Sequence, residues 1–233
     1  MNSGIYSPRL IAPQSMDFHM LPIASITPII LAAGDSRRMG YPKALLPLGG
    51  HTFLTHILTT IQEIGLSNPL VILGKNADLI QPSIQNWPAL VRINPDPDRG
   101  QLSSIQLGLS SLQSSAQAGM IWPVDQPAVS AELVRKLTQL FIQSESMIAY
   151  PKHGDKRGHP AIFHRALFQE FMVTPLEEGP KNILLRHQTQ TIELPTIEAA
   201  AVQDIDTPAD YEALTGESVK SALERMKIIT NDE

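Results

Sequence analysis

Between residues 31 and 43 the chain carries Leu31, Ala32, Ala33, Gly34, Ser36, Arg37, Arg38, Gly40 and Lys43, a set suited to holding phosphate. Glycine and alanine let backbone come close to a ligand, and glycines can turn amide groups toward anionic oxygens. Arg38 offers a planar fork of donors and Lys43 a compact point charge. The spacing is neither that of a P-loop nor that of a dinucleotide fingerprint, and residues 34–38 are no nucleophile elbow. The plain alternative is a strand-to-helix loop with basic residues on its surface. Farther on, Asp125 follows the apolar residues 120–124 and precedes Gln126-Pro127, which stop the run. A carboxylate there, beside a phosphate-holding loop, suits Mg2+, which favours one or two carboxylates plus phosphate oxygens and water. Its alternative, a helix cap, is better filled by Ser130. Asp206 repeats the arrangement at a second expected strand end, with Asp204 on the same side of an extended strand as a reserve. Asp206-Thr207-Pro208 is also a good helix start in its own right. Gly100, Ser103 and Ser104 stand at another expected helix start, where free amides and small hydroxyls can read a base edge or a phosphate, unless a serine is simply the cap.

Short apolar runs must position these residues. Runs at 26–33, 70–73, 90–93, 120–124, 147–150 and 161–163 read as strands. Segments of helical period separate several of them: one carries Leu54, Ile57, Leu58, Ile61 and Ile64, one Leu102, Ile105, Leu109 and Leu112, and one Leu133, Val134, Leu137, Leu140 and Phe141. Short helices are expected near 165–172 and 180–187, a strand near 190–194, and a strand ending at Asp206. Ser130 reads as an N-cap, and Thr207 with Pro208 as the start of a last core helix. Such alternation marks an α/β protein with a mostly parallel, doubly wound sheet, whose ligands bind beyond the carboxyl ends of the strands. Residues 1–25 show neither period and are expected to form an N-terminal extension. Residues 26–215 form the expected domain and 216–233 a C-terminal helix and tail, with the acidic end from Asp204 to Glu233 expected to be solvated.

The chain has 233 residues, 18 Lys+Arg against 23 Asp+Glu, a net charge of -5 and no cysteine. It can bury a core without staples, and thiolate metal sites, disulfides and cysteine nucleophiles are excluded. The acidic balance argues against nucleic acid as a partner. No apolar run reaches the roughly 20 residues of a membrane span, and no signal-peptide pattern opens the chain. A cytoplasmic protein is the expectation.

The stretch from Leu31 to Lys43 resembles the signature Leu-Ala-(Ala/Gly)-Gly-x-Ser-x-Arg-Met-Gly-x-x-Lys of the MobA-like nucleotidyltransferases, which attach a nucleotide to molybdopterin. The likeness continues through Gly100 with Ser103, Ser104 and Gly108, through residues 123–127, through Arg157-Gly158-His159-Pro160 with Phe163, and through residues 204–208. It implies a three-layer sheet of the nucleotide-diphospho-sugar transferase-like Rossmann type. The first loop, Leu31, Ala32, Ala33, Gly34, Ser36, Arg38 and Lys43, would bind a nucleoside triphosphate together with Gly100, Ser103 and Ser104. Arg38, Lys43 and Asp125 would be catalytic, and Asp125 and Asp206 would hold Mg2+. Gly158, His159 and Pro160 would face the acceptor, although a loop histidine can equally be structural. The implied acceptor is molybdopterin, with a sugar phosphate, methylerythritol phosphate or phospholactate as relatives' alternatives. Ala33, where guanylyl-transferring relatives usually have glycine, and the Gly-His-Pro segment point to CTP rather than GTP. A molybdenum enzyme or its maturation chaperone is a further implied partner, and a non-catalytic cofactor-delivery protein is the rival of another class.

Overall fold

The computed structural model describes residues 21–231, with side chains to Met226. Most of the expected extension therefore lies outside the described residues; its last part turns through Ile23–Ser25, where the buried Ser25 hydroxyl donates to Pro22 O at 2.7 Å. Seven strands carry the main sheet: β1 (Ile26–Ala32), β2 (Leu70–Leu73), β3 (Leu90–Ile93), β4 (Ala118–Pro123), β5 (Ile148–His153), β6 (Ala161–His164) and β7 (Thr191–Pro195). They lie in the order β7-β5-β6-β4-β1-β2-β3, and the short strand Lys156–Arg157 folds back on β5. Among the seven, pairing is parallel except around β6, which runs antiparallel to both β4 and β5.

Central strands buried on both faces need an apolar layer on each side. On one face lie α1 (Phe53–Glu63) and α3 (Ala131–Ile142), with Leu54, Ile57, Leu58, Val134 and Leu137 against Ile30, Ala32 and Trp122. On the other lies α2 (Gln101–Ser110), with Leu102, Ile105 and Leu109 against Ile29, Leu31 and Ile121. The short α4 (Phe168–Val173) and α5 (Lys181–Arg186) extend this second layer through Phe171 and Ile183. The result is the three-layer, doubly wound architecture expected from the alternation. Ser130 caps α3, accepting from Leu133 N at 3.1 Å, as its position in the sequence implied.

Three details depart from the sequence reading. The strand expected at 147–150 is longer, because β5 runs on to His153 and pairs with Lys156–Arg157 in a hairpin. Asp206 does not end a strand: after β7 the chain makes a 3-10 turn, Ala199–Val202, and residues 203–206 cross the sheet edge with no strand pairing. The crossing is anchored to β4's exit by Ile205 N donating to Asp125 O at 2.8 Å. Last, the acidic end is not wholly solvated. Helix α6 (Pro208–Thr215) buries Tyr211, which stacks on Phe53 with ring centroids 6.0 Å apart and donates its hydroxyl to Pro47 O at 2.8 Å, while α7 (Val219–Asn231) buries Ala222.

The chain leaves β1 for β2 and β3 on one side, then returns to place β4 on the other, so the order reverses between β1 and β4. In doubly wound sheets such a switch point opens a crevice at the carboxyl ends of the strands. Gly74, just past β2, packs so closely on the exit of β1 that a Cβ on it would stand 2.2 Å from Ala33 O. Gly74→Ala is expected to force these strand ends apart and lower stability by about 1–3 kcal/mol, read by urea denaturation; an unchanged midpoint would show that they yield freely.

Candidate active site

A cleft of about 820 Å³ opens at that switch point, lined by Leu31, Ala33–Arg38 and Lys43 from the loop after β1, and by Pro123, Val124 and Asp125 after β4. Pro97, Asp98, Gly100, Gln101 and Ser104 close a third side, and Asp206 reaches in from the crossing segment. The loop after β1 is held by one serine. Ser36 adopts the left-handed region at φ 56°, its carbonyl accepts from Met39 N and Gly40 N at 3.0 Å each, and its hydroxyl accepts from Lys43 N at 3.1 Å. A strained non-glycine residue so bonded marks a loop whose shape is fixed by its surroundings.

From there Lys43, only 11% exposed, extends into the cleft. Its ammonium donates to Asp125 Oδ2 at 3.1 Å and to Asp206 Oδ1, while Arg38 donates to Asp206 Oδ2 at 2.7 Å. The two carboxylates answer differently to the shared cation. Burial pushes the Asp125 pKa up despite the opposing pull of Lys43, and Asp204 and Asp206 nearby add a smaller repulsion in the same direction as burial. Burial acts the same way on Asp206, but Lys43 and Arg38 together outweigh it and hold its pKa below the usual carboxylate value. Neither aspartate is a helix cap. Ser130 caps α3, and Thr207 caps α6 in a capping box with Asp210, whose carboxylate accepts from Asp206 N and Thr207 N at 3.1 and 2.8 Å.

Of the residues picked from the sequence, Leu31, Ala33, Gly34, Ser36, Arg38, Lys43, Gly100, Ser104, Asp125 and Asp206 meet at the cleft. Ala32 does not line it, because side chains alternate along an extended chain and Ala32 packs in the opposite core. Ser103 and Ser104 lie within α2 and do not cap it; Gly100 holds the cap position. Gly158, His159 and Pro160 are absent from the cleft wall. Gly158 is pressed against the crossing segment, where a Cβ would stand 2.3 Å from Ala201 O, and His159 N donates to that same oxygen at 2.8 Å. The His159 ring is kept neutral by burial, which lowers its pKa to about 4 against the pull of Asp204, and its Nδ1 has no hydrogen-bond partner among the described residues. Asp204, the reserve carboxylate, accepts from Gln126 Nε2 at 2.7 Å.

Asp35, Pro97 and Asp98 also line the cleft, without a role that the sequence had suggested for them. Asp35 pairs with Arg37 at 2.6 Å, and Asp98 pairs with Lys75 at the rim. Their signal was adjacency to motif residues, which does not separate a wall from a loop. As to a metal, no group of three or more His, Cys, Asp or Glu side chains is arranged to hold one among the described residues. The pair Asp125 and Asp206 still fits Mg2+, an ion that draws its remaining oxygens from phosphate and water. No helix among the described residues is long and apolar enough to cross a membrane.

Comparison with known proteins places this geometry. Residues 28–191 match the model of the MobA-like NTP transferase domain. The chain is 26% identical to the molybdenum cofactor guanylyltransferase of Rhizobium rhizogenes, over 87% of this chain and 95% of that one. It is 27% identical to the molybdenum cofactor cytidylyltransferase of Escherichia coli, over 81% and 95%. Against the bifunctional protein GlmU of Psychrobacter sp. it is 31% identical over 53% of its length but spans only 27% of that protein. Among solved structures, Rv0371c of Mycobacterium tuberculosis superposes with a TM-score of 0.71 at 27% identity, covering 82% of this chain and 97% of its own. The same protein has been solved in complex with manganese.

Replacing Lys43 by methionine tests the charge arrangement. With its folded pKa lowered, Asp206 adds stability above the unfolded carboxylate pKa of about 4, and that stability is lost as pH falls through the lower folded value. In Lys43→Met the Asp206 titration, followed by carboxyl-carbon NMR, is expected to move to higher pH, and this acid-side contribution to shrink. A titration that stays in place would assign the lowering to Arg38 alone.

Proposed function

The chain belongs to the MobA-like NTP transferase family, and from that premise we propose that it transfers the cytidylyl group of CTP to the phosphate of a molybdopterin-type acceptor. An oxygen of the acceptor phosphate bonds to the α-phosphorus, the bond from that phosphorus to the bridging oxygen breaks, and pyrophosphate leaves. The observation that carries this reading is the meeting of Lys43 with Asp125 and Asp206 at the carboxyl edge of β1 and β4, within a cleft walled by small residues. Lys43 and Arg38 are the cations proposed to hold a triphosphate laid along the loop. Asp125 and Asp206 would hold Mg2+, which when bound neutralises charge building on the phosphate oxygens. Gly34 leaves open space where a Cβ would stand, so a nucleotide can lie against its backbone. A phosphate nucleophile is already ionised at neutral pH, so the site needs no general base, in keeping with a neutral His159 set off the cleft wall.

The acceptor belongs on the side of β5 and β6, which continue the same sheet edge. An acceptor role for Gly158, His159 and Pro160 places that molecule beyond the cleft mouth. The preference for CTP rests on Ala33, which lines the cleft. One methyl is worth about 1–3 kcal/mol of discrimination, so the preference is expected to be partial. The divalent ion finds support in the manganese complex of the structural relative.

The test is to incubate the protein with Mg2+, each of the four triphosphates and molybdopterin, and to identify the adduct by mass while following pyrophosphate. A cytidylyl adduct is expected. A guanylyl adduct alone would overturn the base preference, an adduct only with a sugar phosphate would overturn the acceptor, and binding with no pyrophosphate would point to cofactor delivery. In the same assay Asp125→Asn and Asp206→Asn are each expected to slow transfer by roughly a thousandfold, several kcal/mol of transition-state stabilisation, with a smaller effect on nucleotide affinity. A lowered unfolding midpoint with near-normal rate would assign either residue to structure.

A further inference from the structure

Asn94 follows β3 directly, is 5% exposed, and donates its backbone N–H to Leu73 O at 2.8 Å. The orientation of its side-chain amide is dictated by a group that can only donate: Asp96 N meets Oδ1 at 3.0 Å. The NH2 end therefore faces α2, where it lies 2.9 Å from Ser103 Oγ and 2.9 Å from Ser104 Oγ. Asn94 is the donor in both bonds, so both serine oxygens accept, and each hydroxyl keeps one proton to give. Ser103 gives its proton to Gly100 O at 2.7 Å. Ser104 is 4% exposed, lines the cleft, and has no acceptor for its hydroxyl proton among the described residues.

We propose that Asn94 is a positioning residue for ligand recognition: by donating to Ser104 it occupies the inner side of that oxygen and turns the hydroxyl proton toward an oxygen of the bound nucleotide. The inference rests on the nucleotide reading of the cleft. It has a sharp consequence, because Asn94→Asp is nearly isosteric and keeps an oxygen for Asp96 N, yet a carboxylate has no proton to donate. It would accept from the serines instead, draw the Ser104 proton away from the cleft, and leave lone pairs facing the nucleotide.

The experiment is a double-mutant cycle read by calorimetric titration with CTP, GTP and inorganic tripolyphosphate, each with Mg2+, on wild type, Asn94→Asp, Ser104→Ala and the double variant. Each single variant is expected to weaken CTP binding by roughly tenfold, the size of one hydrogen bond, and the double variant to bind about as Ser104→Ala does. Weakening that extends to tripolyphosphate places the accepting oxygen on a phosphate, and weakening confined to the nucleotides places it on the nucleoside; both support the proposal. An Asn94→Asp loss that persists undiminished in the Ser104→Ala background would be repulsion by the new charge, and it would overturn the proposal, as would no loss at all. Wild type that binds none of the three ligands would overturn the nucleotide reading itself and the inference with it. If Asn94→Asp does not fold, Asn94→Ala goes through the same cycle, with the same non-additivity expected.

Discussion

Two carboxylates face each other across one ammonium group, and much of the site's geometry follows from that contact. Asp125 leaves β4, Asp206 arrives on the segment after β7, and Lys43 comes from the loop after β1, so three distant stretches of sequence meet at one nitrogen. Like charges this close, both only partly exposed to solvent, repel unless a cation stands between them. The fold supplies that cation on a short leash. Ser36 fixes the backbone of Lys43 through its hydroxyl, and the lysine side chain has little exposed length in which to wander.

The same contact explains why the region after β7 is built as it is. A loop that must hold an aspartate opposite a strand exit needs its own ties, and residues 201–206 have them at both ends. Ala201 O accepts from His159 N, Ile205 N donates to Asp125 O, and Asp210 gathers the amides of Asp206 and Thr207. Gln126 adds a bond to Asp204, while its own carbonyl accepts from the buried Trp122 indole at 3.0 Å. The Gly-His-Pro segment thus serves the carboxylate side of the cleft through its backbone, whatever its side chains contact.

Much of this was legible in the sequence because the governing signals were local. The strands at 70–73 and 90–93 stand where their apolar runs put them, and Ser130 and Thr207 cap the helices they precede. The loop from Leu31 to Lys43 was conspicuous because glycine, serine and basic residues crowd after a buried strand. What escaped was set by long-range packing. The apolar Ile205 suggested a strand ending at Asp206, but Ile205 is buried by crossing the sheet edge, and no periodicity distinguishes that from pairing. The close approach of Ala201 O to Gly158, which leaves no room for a Cβ, has no local mark in the sequence. Asn94 gave no signal because its importance lies in which way its amide points, a property of partners two and ten residues away.

We propose that the triphosphate and its metal bind at the point where Lys43 meets Asp125 and Asp206. A crystal structure of the protein with a non-hydrolysable CTP analogue and Mn2+, located by its anomalous signal, tests it most directly. The ion is expected between Asp125 and Asp206, with the Lys43 ammonium moved from the carboxylates to a phosphate oxygen. A nucleotide bound in the cleft while Lys43 still bridges both carboxylates, and Mn2+ lies elsewhere, would contradict it.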